Sequence, residues 1–109
     1  MSKDVLLNVC KITCSQIGIL PSELKQRSKV QHIVYARMIV SVICSRKFGV
    51  TQKAIGIHFN MNQSNINSYL KKIDAEIRFN AKFRNDYESI LERVNKNKAL
   101  QKENLRKPC

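Results

Sequence analysis

The sequence predicts an all-α, single-domain protein of about six helices. Three observations carry this. Glycine and proline are scarce, three and two in 109 residues, and long segments lack both, which favours helices joined by short turns. Apolar residues recur at three- and four-residue intervals through most of the chain. A length of 109 residues with 43% hydrophobic content suits one domain with one modest core rather than a disordered chain. The folded domain is expected over residues 1–95, with a basic polar tail over 96–109.

Residues 4–17 place Val5, Leu6, Val9, Ile12 and Ile17 on one helical face, and Gly18 is positioned to end the helix. Pro21 then starts a short helical turn for which Ser22 is a candidate cap. A basic loop follows, Lys25 to Lys29. Val30 to Lys47 is rich in β-branched residues, so propensity alone admits a strand. Eighteen residues without a turn signal favour a helix with one wide buried stripe through Val30, Ile33, Val34, Met38 and Val42. Arg46 and Lys47 suit its carboxy terminus, and Gly49 its end.

"VTQKAIGIHFN" reads as a short helix with Thr51 as N-cap. "NMN" is a tight turn, from which Asn62 can cap the next helix. There Ile66, Leu70, Ile73 and Ile77 form a buried stripe, while Ser64, Ser68 and Lys71, flanked by Asn65, Asn67 and Lys72, occupy the other side. A last helix starts near Ala81, with Phe83, Tyr87, Ile90, Leu91 and Val94 inward.

The formal net charge is +12, and its distribution is uneven. No Asp or Glu occurs from Leu24 to Ile73, a segment holding Lys25, Arg27, Lys29, Arg37, Arg46, Lys47, Lys53, Lys71 and Lys72. A one-sided field of this kind attracts a polyanion. Asn60, Asn62, Gln63, Asn65 and Asn67 cluster where a helix begins, although amides are mediocre helix formers. Helix, three-residue turn, helix over residues 51–79 is the organisation of a helix-turn-helix, whose second helix enters the DNA major groove. Amides match the donor and acceptor pair of adenine. Asn60 and Asn62 read equally well as turn and cap residues, which leaves Gln63 and Asn65 the stronger base readers.

Other chemistry is thinly represented. The chain has no GxxxxGK, GxGxxG or GxSxG motif, so no enzyme activity and no cofactor are expected. Cys10 and Cys14 lie one helical turn apart without a second short-spaced ligand pair. With Cys44 they read as buried small hydrophobes rather than metal ligands. His58 reads as a packed core histidine, and Tyr35 and Tyr69 as core-edge packing. Aromatics at 6% argue against single-strand binding by stacked bases. No apolar run reaches bilayer-spanning length, and residues 1–20 do not read as a signal peptide. The expected setting is cytoplasmic and nucleoid-associated.

The pattern from about Val5 to Val94 resembles the C-terminal duplex-DNA-binding domain of DnaA, the bacterial chromosomal replication initiator, a Trp-repressor-like helix-turn-helix fold. In "YARMIVSVICSRKFGVTQKAIGIHF", Ala36-Arg37, Ile55-Gly56 and Phe59 fall on that family's "AR", "IG" and phenylalanine. "LKKI" at 70–73 resembles its basic pair before an isoleucine, and "ILPSELKQRSK" the short helix and basic loop ahead. The resemblance implies that Lys29, with Arg27 beside it, enters the minor groove and that Arg37, Lys53 and Lys72 contact phosphate. The family reads the major groove with "RDHTT" or "RDHST". Here Met61 replaces the arginine, Asn62 the aspartate, Gln63 the histidine and Asn65 the second threonine, while Ser64 fits. The family's target sequence is therefore not implied, and with no ATPase part neither is origin melting.

Together these readings predict a sequence-specific double-stranded DNA-binding protein, replication-initiator-like, acting in replication or transcription control. Asn62, Gln63, Ser64 and Asn65 would read bases. Arg27 and Lys29 would enter the minor groove. Arg37, Thr51, Lys53, Lys71 and Lys72 would hold phosphates. No metal site is expected, and a monomer is expected rather than a dimer. The alternative is an initiator-like fold that binds a protein partner without reading DNA.

Overall fold

The computed structural model describes residues 2–26 and 30–97. Among them are five α-helices: α1 (Ser2–Ile17), α2 (Gln31–Phe48), α3 (Gln52–Phe59), α4 (Gln63–Phe79) and α5 (Ala81–Lys96). A 3-10 helix (Pro21–Lys25) separates α1 from α2. The described part is thus all-helical, and the short helix expected at Pro21 takes the tighter 3-10 form. Its amino terminus is not capped by Ser22. Instead the Glu23 carboxylate accepts from the backbone N–H of Leu20 at 3.2 Å. The expected tail lies outside the described residues apart from its beginning, where α5 runs to Lys96.

α2 is the axis of the fold and packs against every other described element. Every residue from Ala36 to Cys44 is buried, so the helix is enclosed on all sides rather than along one stripe. That is how a segment apolar around its whole circumference must sit, and it explains why β-branched residues are tolerated here as helix. Val30, expected within the stripe, precedes the helix and is half exposed. Gly49 closes α2 at φ 67°, a left-handed conformation that glycine adopts without a Cβ penalty.

The remaining helices wrap α2 as amphipathic elements. Val5, Leu6 and Val9 of α1, Ile66 and Ile73 of α4, and Phe83, Ile90 and Val94 of α5 are buried as expected, in one continuous core with α2. Leu70, Ile77, Tyr87 and Leu91 border it, half-buried. Cys10, Cys14 and Cys44 are buried thiols. Burial pushes the Cys10 thiol up to about 12, aided by neighbouring Cys14. It pushes Cys14 up to about 11. Among the described residues no cluster of three or more His, Cys, Asp or Glu could hold a metal, and no helix is long and apolar enough to cross a membrane.

One residue joins α4 to α5. The Asn80 N–H donates to the Glu76 carbonyl at 2.9 Å, closing α4. Its side-chain oxygen accepts from the Phe83 N–H at 3.0 Å, capping α5. Its amide nitrogen donates to the Tyr35 hydroxyl on α2 at 3.2 Å.

Candidate nucleic-acid interface

α3 and the turn that follows it rest on three local features. Thr51 caps α3, its hydroxyl accepting from the Ala54 N–H at 3.1 Å. Asn60 ends α3 at φ 58°, a positive φ that asparagine tolerates better than most residues. The Met61 N–H then donates to the Gly56 carbonyl at 2.8 Å. This return brings the Met61 carbonyl so close to α3 that a Cβ on Gly56 would lie 2.8 Å from it. Glycine at 56 is therefore what lets α4 leave α3 after a three-residue turn.

α4 begins with its polar residues outward. Asn62, Gln63, Ser64 and Asn65 are all exposed. Asn62 stands at the cap position, but its side chain makes no capping bond. Its backbone carbonyl instead accepts from the Asn65 N–H at 3.0 Å. The expectation of a side-chain cap is thus corrected, and the Asn62 amide is left on the surface beside Gln63. Lys71 and Lys72 are exposed further along α4, and Lys53 is exposed in the first turn of α3. Asn67 is half-buried.

Alongside this surface runs a cleft of about 590 Å³ between the 3-10 segment, α2 and the α3–α4 turn. Lys25 and Gln26 line it from the 3-10 side, and Asn60, Asn62, Asn65 and Lys72 from the other. Met61, Tyr69, Val34 and Phe59 supply its apolar lining. The Tyr69 hydroxyl lies 3.9 Å from the Met61 sulfur. The cleft thus brings together predicted residues that are distant in sequence and adds Lys25, Gln26, Asn60, Met61, Ser68 and Tyr69 to them. Of these, Lys25 had a legible signal, since it opens the basic loop.

Arg37 also lines the cleft, but not as expected. Only 4% of it is exposed. Its Nε donates to the Leu24 carbonyl at 2.8 Å, and a terminal nitrogen donates to the Gln26 carbonyl. The expectation of a surface phosphate contact gives way to a buried brace. The guanidinium satisfies carbonyls left by the end of the 3-10 helix and fixes the backbone on either side of Lys25. Arg27 and Lys29, the expected minor-groove residues, lie outside the described residues. Arg46 has a different partner, meeting Asp74 at 3.4 Å.

His58 faces inward from α3, as expected. It packs edge-on to Phe59 at 5.4 Å between ring centres, and its Nε2 lies 3.7 Å from the Cys10 sulfur. Burial, with the charges of Lys25 and Lys3, holds its pKa below the usual imidazole value. His58 is not part of the cleft lining, whose positive charge comes from Lys25, Lys72 and Arg37.

Compared with known protein families, curated proteins and solved structures, the chain matches none.

Proposed function

We propose that the protein binds double-stranded DNA sequence-specifically, with α3 and α4 acting as a helix-turn-helix of the Trp-repressor and replication-initiator type. The observation that carries this reading is the exposed run Asn62, Gln63, Ser64 and Asn65 at the start of α4. It borders a cleft that Lys25 and Lys72 line from different elements. Side chains with paired donors and acceptors suit base edges, and flanking lysines suit the phosphates on either side. α4 enters the major groove amino terminus first, while Lys53 and the start of α3 lie on the backbone. Arg37 holds the strand-facing backbone of the 3-10 segment, so that Lys25 takes the phosphate role expected of it. The role in the cell is control of replication or transcription.

Selection of bound duplexes from a random pool tests this directly, and an enriched motif is expected. If about five phosphates are neutralised, log K falls with log salt at a slope near −4.5. A flat salt dependence with no enriched motif would refute DNA binding. It would favour the competing reading, a protein-binding regulator, for which Ile57 on α3, 71% exposed, is the supporting observation.

A further inference from the structure

We infer that Met61 is a specificity residue that reads the 5-methyl group of a thymine. The inference rests on the reading of α4 as a major-groove element and names one contact within it. Met61 is a half-buried apolar side chain that packs against the core and, with Val34, Phe59 and Tyr69, forms the apolar part of a cleft lined otherwise by residues such as Asn60, Asn62, Asn65, Lys25 and Lys72. Backbone geometry does not demand methionine there. The strained position of the turn is Asn60, the one non-glycine residue with positive φ among those described, and the tight approach to Gly56 involves the Met61 carbonyl, not its side chain.

Such a side chain gains from being covered by something apolar. A phosphodiester strand offers oxygens, and base edges in the major groove offer donors and acceptors. The thymine 5-methyl is the apolar group that a base pair presents in that groove. The thioether is unbranched and polarizable, so it moulds to a small methyl without needing one fixed approach. The Tyr69 hydroxyl lies 3.9 Å from the sulfur, so the thioether has one polar contact within the cleft. Asn65, lining the same cleft, places an adenine-matching amide beside the methyl reader, which favours A·T pairs at this position.

The test uses a duplex recovered by selection and the full chain. Each thymine is replaced in turn by deoxyuridine, which keeps the hydrogen-bonding edge and removes only the methyl. Dissociation constants are read by fluorescence anisotropy. One replacement is expected to weaken the wild-type protein about fourfold, the value of one buried methyl-sized group. Met61→Gln, close in volume and polar, is expected to bind the thymine and deoxyuridine duplexes equally, whereas Met61→Leu retains the preference. Circular dichroism of both variants confirms that they are folded. The inference is overturned if no replacement weakens binding, if the selected site holds no thymine, or if Met61→Gln keeps full methyl sensitivity. Those results leave sequence-specific binding standing. If selection recovers no preferred duplex, the DNA reading falls and this inference with it.

Discussion

The Met61 N–H donates to the Gly56 carbonyl at 2.8 Å, and the Met61 carbonyl oxygen would lie only 2.8 Å from a Cβ on Gly56. The two residues define how α4 departs from α3. Gly56→Ala sets a methyl against the Met61 backbone carbonyl, which no side-chain rotation relieves. A loss of about 1–3 kcal/mol is expected on urea unfolding. Surviving folded protein should bind duplex less tightly, because the turn that presents Asn62 and Gln63 has shifted. Unchanged stability would show that the turn yields to a methyl at position 56.

Arg37 separates a bracing role from a phosphate-binding one. Arg37→Ala strips charged hydrogen bonds from the Leu24 and Gln26 carbonyls. Stability should fall on the order of 2–3 kcal/mol. A surface phosphate ligand would behave in the opposite way, weakening DNA binding and its salt dependence while the unfolding midpoint held.

Gln63 and Lys72 should give distinguishable defects. Gln63→Ala is expected to relax preference at one base pair by about 1–3 kcal/mol, with other positions unchanged. Lys72→Ala should weaken all duplexes alike and reduce the salt slope by about one. Binding measured against a set of single-base variants at several salt concentrations checks both. Identical behaviour of the two variants would contradict the division between reading and holding.

His58 makes stability depend on pH. Its folded-state pKa is lowered by burial and by Lys25 and Lys3, so the unfolded chain binds the proton more readily than the folded one. Above the ordinary imidazole value both states are neutral and nothing is lost. As pH falls below about 6.5 towards the lowered folded value, the unfolded state is favoured. The thermal midpoint should therefore drop as pH falls through and below about 6.5. His58→Gln should flatten that part of the profile, and a wild-type midpoint constant over this range would count against the half-buried neutral ring.

Cys10, Cys14 and Cys44 should resist alkylation in the native protein. All three are buried, and the raised pKa values of Cys10 and Cys14 keep them as thiols at neutral pH, whereas alkylating agents attack the thiolate. Peptide mapping after brief iodoacetamide treatment should find them unmodified until denaturant is added. Rapid native labelling of Cys10 would contradict its placement against His58.

Much of the fold could be read from local pattern. The stripe through Ile66 and Ile73 placed α4, Thr51 announced the start of α3, and Gly18 and Gly49 marked helix ends. These signals are carried by neighbours in sequence. What escaped depends on residues brought together across the chain. Arg37 looks like any surface arginine until the 3-10 segment folds over it and offers the Leu24 and Gln26 carbonyls. Asn80 gives no sequence sign that it joins two helices, because its partner Tyr35 is far away in the chain. The exposed run Asn62 to Asn65 was legible because polarity at the start of an amphipathic helix survives folding unchanged. The cleft beside it was not, since Lys25 and Lys72 come to line one cleft only when the 3-10 segment and α4 pack around α2 and α3. Enclosure of α2 on all sides was also hidden, because apolar density marks it as buried without saying how many elements will cover it.

With Asn80 serving as the end of one helix, the beginning of the next and a strut to Tyr35, the α4–α5 elbow has no slack to absorb. These bonds fix the direction in which α4 meets α5 and α2, and so the axis along which its amino-terminal turns project. If the proposed DNA reading holds, adaptation on binding falls to the long side chains of Gln63, Lys71 and Lys72.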